Sequence, residues 1–166
     1  KEHVSIVSNT RLEWIFADLG ILASGAATVP IYQSNLAHEC EYILNDSEAV
    51  AVFVEDKSQL EKMRTIREAI PGVKRVIAFT GEVDVASGWE VTWQDFLKEG
   101  EEYLKENTDE LTARSASLGR DDILTIIYTS GTTGKPKGAV LTHDAMLYEA
   151  EAVQKIDLIT PEDVEY

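Results

Sequence analysis

The sequence is short of cysteine, of basic residues and of long apolar runs. Cys40 is the only cysteine among 166 residues. An internal disulfide is therefore impossible, and a reducing, cytoplasmic setting is the default expectation. Fifteen Lys and Arg stand against thirty Asp and Glu, a formal net charge of −15. Such a chain lacks the clustered basic face that nucleic acid demands, and anionic lipid does not attract it electrostatically. No stretch approaches the roughly 18 to 20 apolar residues that span a bilayer. No secretory signal is readable, and neither repeats nor low-complexity tracts occur. His3 and His38 have no metal-ligand spacing with each other or with Cys40. What is present is 44% hydrophobic and 27% charged residues, the composition of a globular domain long enough for a proper core. The chain opens on Lys1 directly before an apolar run and closes on Tyr166 without a tail. The expectation is a piece of a longer protein.

Strand and helix signals alternate. Val4–Val7 has strand composition. Thr10 with Glu13 reads as a capping box, and Leu12, Ile15, Phe16, Leu19, Leu22 and Ala23 recur at helical spacing as a buried stripe ended by Gly25. Thr28–Tyr32 is a second strand, which Pro30 demotes to an edge strand or an extended segment, since it has no amide to donate. A short helix over Ala37–Asn45 buries Cys40, and the unbroken apolar run Ala49–Glu55 suits a buried parallel strand. Ser58 with Glu61 opens a helix through Ile70, followed by a strand over Val73–Thr80. The stretch from Gly81 to Gly88 is a surface excursion anchored by Trp89 and Trp93. Thr92 and Asp95 begin a helix to Glu106, and Asn107–Arg120 reads as a polar connector. Two strands, Ile123–Thr129 and Gly138–Thr142, flank a Gly/Thr-rich loop, and a helix runs from Asp144 to Ile156. His143 has no carboxylate partner placed by the sequence and belongs to the start of that helix. The alternation predicts an α/β fold: a layered, mostly parallel sheet with helices on both faces.

The loop carries the chemistry. Glycines allow positive φ and close approach of backbone to a ligand, and successive free amides form an anion-binding concavity. Hydroxyls add donors or ligate a magnesium ion, and lysines supply positive charge. None of the thirty acidic residues falls between Ile123 and His143, whereas Lys135 and Lys137 do. At physiological salt the Debye length is about 8 Å, so the distant carboxylates are largely screened from those two charges. The pattern is not a Walker A loop, because Lys135 is followed by Pro136 and a strand rather than by Ser/Thr and a helix. A flexible hairpin connection rich in small residues reads equally well from composition alone.

The sixteen residues "YTSGTTGKPKGAVLTH" (Tyr128–His143) resemble the signature loop of the adenylate-forming superfamily, which contains acyl-CoA synthetases, peptide-synthetase adenylation domains and luciferases. "NTRLEWIFADLGILASGAATVPIY" and "EYILNDSEAVAVFVED" are similar to the long-chain fatty-acid–CoA ligase branch. The resemblance implies part of an N-terminal, AMP-binding domain over residues 1–166, weakest across 81–120, with no C-terminal domain. It implies ATP, Mg2+ and coenzyme A as cofactors and co-substrates, and a fatty acid as the acid that is adenylated and then transferred to the coenzyme A thiol. Another carboxylic acid (acetate, an aromatic acid, an amino acid) and a catalytically silent phosphate-binding module are the alternatives. By resemblance, Thr129, Ser130, Gly131, Thr132, Thr133, Gly134, Lys135, Lys137 and Gly138 hold the phosphates, and Thr129 ligates magnesium. The acidic magnesium ligand and the catalytic lysine of the family lie beyond these residues, so no catalytic residue is assigned and the piece alone is expected to be inactive. Peripheral membrane contact of the intact protein and self-association through an open sheet edge complete the expectations.

Overall fold

A computed structural model describes residues 1–129 and 134–155. Strand β1 (His3–Val7) leads through helix α1 (Leu12–Ala23) to β2 (Ala27–Ile31), which lies parallel beside it. Helix α2 (Ala37–Asp46) carries the chain to the other side of β1, where β3 (Ala49–Val54) pairs. Helix α3 (Lys57–Ile66) and strands β4 (Arg75–Ala78) and β5 (Glu90–Thr92) extend the sheet in that direction, all parallel. After α4 (Trp93–Glu106) and α5 (Glu110–Ala116), the chain recrosses to β6 (Ile123–Thr129) beside β2. Strand β7 (Lys137–Thr142) returns antiparallel on β6, and α6 (His143–Lys155) follows. The described residues thus form a seven-stranded sheet of order β5-β4-β3-β1-β2-β6-β7. This is the α/β, mostly parallel sheet that the alternation implied.

The strand runs are apolar throughout because both faces are covered. Val52 and Val54 point into one core with Cys40, Ile43 and Leu44 of α2 and Leu60 and Met63 of α3. Phe53, between them, points into a second core with Ala17 and Ile21 of α1 and Trp93 of α4. The period of two along β3 therefore separates an α2–α3 layer from an α1–α4 layer. In the second layer the rings of Phe53, Phe79, Trp93 and Phe96 meet edge-on and stacked at centroid distances of 5.3 to 6.3 Å. Cys40 fills space as expected, and burial pushes its thiol up to about 11.

Several local expectations are corrected. In α1 the large residues of the stripe are not buried: Leu12, Phe16 and Leu19 are 66%, 54% and 58% exposed. The helix lies on the sheet through Ala17 and Ile21 instead. Helical spacing identifies an apolar face but not the surface it meets. Thr10 does not cap α1; Arg11 stands at the N-cap and its guanidinium pairs with Glu13 at 2.7 Å. The cap of α3 is Asp56, whose carboxylate accepts the Gln59 amide at 3.1 Å, rather than Ser58. The α3 helix stops at Ile66, and a 3-10 turn covers Arg67–Ala69. Pro30 lies inside the sheet, not at its edge. The ladder from β2 to β6 is registered at Thr28–Thr125 alone, which spares the proline a donor that it lacks. The predicted helix at the C-terminus is present to Lys155; Ile156 lies outside the described residues.

Two elements escaped the sequence. Strand β5 has three residues, and α5 interrupts the expected connector. Trp89 and Trp93 are buried parts of the cores rather than surface anchors, and Trp89 donates its indole N–H to the Val73 carbonyl at 3.0 Å. The cap of α4 is as expected, with Thr92 Oγ1 accepting the Asp95 amide at 3.1 Å.

Glu90, on β5, ties the excursion down. Its buried carboxylate accepts Arg64 Nε at 2.9 Å, Arg64 Nη2 at 2.6 Å and the Asp84 amide at 2.8 Å. The Arg64 guanidinium, ahead of the Asp84 amide, holds this carboxyl below its ordinary value of 4.5. A lowered folded value means that the stabilisation is present above the unfolded value and fades as pH falls through the folded one. Urea unfolding across acid pH should therefore show wild-type stability declining below pH 4.5, and a shallower decline in Glu90→Gln from a lower starting point. The same assay at neutral pH separates the buried from the exposed apolar faces. Leu60→Ala should cost about 2–5 kcal/mol, whereas Leu19→Ala should change stability by no more than about 0.5 kcal/mol.

Candidate functional site

Strands β6 and β7 form the hairpin that the loop was expected to join. Thr129, the last residue of β6, is registered with Lys137, the first of β7, and both are exposed. Thr129 stands at the carboxyl end of a strand parallel to β1 and β2, the end at which open α/β sheets bind ligands. Below it, an open cavity of about 460 Å3 lies against the ends of β1, β2 and β6, with Ser8, Tyr32, Gln33 and Tyr128 in its wall. Ser130, Gly131, Thr132 and Thr133 lie outside the described residues. Gly134 has φ of +130°, a conformation that side chains strain to adopt.

Tyr128 fixes the base of the hairpin. Its hydroxyl donates to Asp46 Oδ2 of α2 at 2.6 Å, and its ring meets that of Tyr42 edge-on with centroids 6.4 Å apart. Burial, reinforced by the Asp46 carboxylate, pushes the phenol far above its ordinary value. Gly138, registered opposite, lies directly on this ring. A Cβ there would stand 2.8 Å from Ile126 Cγ2 and 3.1 Å from Tyr128 Cζ. The glycine thus lets β7 close over Tyr128.

The two lysines differ. The Lys137 side chain is exposed beside Thr129, whereas the Lys135 ammonium stands 5.0 Å over the Tyr42 ring. Lys135 borders a second open cavity, about 820 Å3, whose far wall includes Glu39, Glu41 and Asp46 of α2. The cavity that Lys135 borders is thus lined by acidic residues that the local sequence lacks. His143 opens α6, as expected, with its amide donating to the Asp122 carbonyl at 3.0 Å. Asp122 in turn is held below the usual carboxylate range by the Gly119 amide and Lys1. Among the described residues, no group of three or more His, Cys, Asp or Glu is placed to hold a metal ion.

Of the nine residues to which the signature pointed, Thr129, Gly134, Lys135, Lys137 and Gly138 are described, and the structure brings these five to one hairpin. The sequence did not point to Tyr128, Tyr42 or Asp46. Tyr128 was visible as the first letter of the signature, but Asp46 is 82 positions away and carried no signal. Gly138→Ala should force Tyr128 or β7 to move, lowering stability by about 1–3 kcal/mol. Thermal or urea unfolding checks this, with loss of the Tyr128 ring contacts in NMR spectra as the local signature.

Comparison with known proteins agrees with this geometry. The AMP-binding enzyme family matches residues 1–165. A long-chain-fatty-acid–CoA ligase of Mycobacterium bovis is 38% identical over 153 residues, which cover 92% of this chain and 24% of that protein. One from Xenopus laevis is 33% identical over 152 residues, covering 92% and 20%. Among solved structures, an anthranilate–CoA ligase in complex with anthranoyl-AMP is similar with a TM-score of 0.68 at 25% identity, over 90% of this chain and 26% of that one. ATP-bound MatB from Rhodopseudomonas palustris shares the fold, with a TM-score of 0.67 at 22% identity over 98% and 29%. This chain spans between a fifth and a quarter of the curated relatives' length. The match to the family along nearly the whole length of the chain places it in the AMP-binding enzyme family.

Proposed function

We propose that this chain is the phosphate-holding part of an ATP-dependent long-chain fatty-acid–CoA ligase. The observation that carries this reading is the pairing of exposed Thr129 with exposed Lys137 at the mouth of a loop that has no carboxylate from Ile123 to His143. Its support in sequence is the likeness to long-chain fatty-acid–CoA ligases at 33% and 38% identity. The reaction has two steps. The fatty-acid carboxylate oxygen attacks the α-phosphorus of ATP, the bond to the bridging oxygen breaks, and pyrophosphate leaves. The coenzyme A sulfur then attacks the acyl carbon and AMP leaves with the bonding pair.

The donors in this chain suit pyrophosphate as a leaving group. The Lys137 ammonium and the loop amides meet oxygens on which charge grows as the bond breaks. Each charge-assisted hydrogen bond is worth about 1.5 to 3 kcal/mol. The loop passes directly into β7, so a helix dipole adds nothing, and backbone, hydroxyl and lysine groups do the work. Thr129 offers one exposed hydroxyl as a ligand, a set that fits magnesium arriving on the nucleotide rather than a protein-held ion. Such an ion neutralises phosphate charge when bound. Ser130, Gly131, Thr132 and Thr133 join Thr129, Gly134 and Lys137 in this assignment, on the strength of the signature.

A second reading keeps the same chemistry with an aromatic acid, favoured by the likeness to the anthranilate–CoA ligase at 25% identity. No described helix is long and apolar enough to cross a membrane, and any contact with lipid in this reading is peripheral. Trapping the acyl-adenylate with hydroxylamine in the full-length gene product tests the activity, and a panel of acids of graded chain length separates fatty from aromatic substrates. Lys137→Ala should lower ATP–pyrophosphate exchange at least about tenfold, the loss of one charged contact to the transition state. Exchange at the wild-type rate would remove Lys137 from the phosphate site.

A further inference from the structure

Lys135 is turned away from the role that its place in the signature suggests. Its ammonium sits over the Tyr42 ring at 5.0 Å, and α2 carries Glu39, Glu41 and Asp46 on the wall of the cavity that it borders. Reaching a phosphate would mean leaving the ring. We propose that Lys135 is a positioning residue that latches the C-terminal limb of the loop, Gly134–Lys137, to helix α2, so that Lys137 is presented to the nucleotide. This inference rests on the phosphate-holding reading above only for its effect on ATP; the latch itself is a property of the fold.

The anchor is firm and the latch is weak, which is the combination a releasing loop needs. Tyr42 is braced edge-on by Tyr128, whose hydroxyl is tied to Asp46 at 2.6 Å. The helix beneath them is held by fully buried Cys40, Ile43 and Leu44. The Lys135 side chain is exposed, so its contact with the ring is screened and reversible. Gly134, at φ of +130°, precedes it as the pivot, a backbone conformation open to glycine and strained for other residues. A limb held this way offers Lys137 in register with Thr129, yet lets go when pyrophosphate departs.

Amide hydrogen exchange of the full chain tests the latch without nucleotide. Lys135→Ala and Tyr42→Leu should each raise exchange at Gly134, Lys135 and Lys137 about two- to fivefold, the scale of one exposed cation–ring contact. Lys135→Arg and Tyr42→Phe retain a cation over a ring and should exchange like the wild type. In the full-length gene product, Lys135→Ala should raise KM for Mg-ATP by about the same factor with kcat within about twofold, and Lys135→Arg should restore it. Unchanged exchange in Lys135→Ala, which removes only an exposed side chain, overturns the latch. Faster exchange with an unchanged KM in an active enzyme overturns its positioning role. A full-length protein without ATP–pyrophosphate exchange overturns the ligase reading instead, and the exchange data then judge the latch alone.

Discussion

The hydrogen bond from Tyr128 to Asp46 is the contact on which the candidate site depends. Strand β6 joins β2 through the registered pair Thr28–Thr125 and the Thr125 hydroxyl, which donates to the Thr28 carbonyl at 2.8 Å, and β7 pairs with β6. Helix α2 gives the hairpin a further point of support through Asp46 and Tyr42. The phenol hydroxyl is satisfied and the ring is wedged between Gly138 and Tyr42. This sets the height at which the loop leaves the sheet and the side from which Lys137 is offered.

Around that contact the rest of the fold acts as a rigid mount. Strands β1 and β3 are buried on both faces, with α2 and α3 on one side and α1 and α4 on the other. Close packing on both faces fixes strand ends to within small displacements, and the carboxyl ends of β1, β2 and β6 line up on one edge of the sheet. The exposed face of α1, with Leu12, Phe16 and Leu19 outward, belongs to the same logic: the helix meets this sheet through its small side.

The two lysines of the signature differ in their surroundings. Both lie in a stretch free of acidic residues, yet α2 brings three carboxylates to the cavity bordered by Lys135. Lys137, two positions on, is registered instead with Thr129. In the proposed reading, Lys135 holds the loop and Lys137 serves the ligand. A net charge of −15 spread over the molecule does not decide this. Charges beyond about 8 Å are largely screened, so the near neighbours dominate.

The sequence by itself determined the alternation of strand and helix, the buried character of β3, the caps and stops marked by Thr92 and Gly25, and the strand–loop–strand form of the signature. Each of these follows from local chemistry: hydrophobic period, side-chain oxygens near free amides, glycine at positive φ. Tertiary structure decided what each apolar face would meet. The α1 stripe reads as buried by period, yet the helix meets the sheet through Ala17 and Ile21 and leaves Leu12, Phe16 and Leu19 exposed. Pro30 reads as an edge residue and is interior because β6 asks only one pairing of β2. The three-residue strand β5 was too short to announce itself and exists because β4 offers it a ladder. The partnership of Tyr128 with Asp46, across 82 positions, was invisible for the same reason: proximity of distant residues is a property of packing, and no local pattern encodes it.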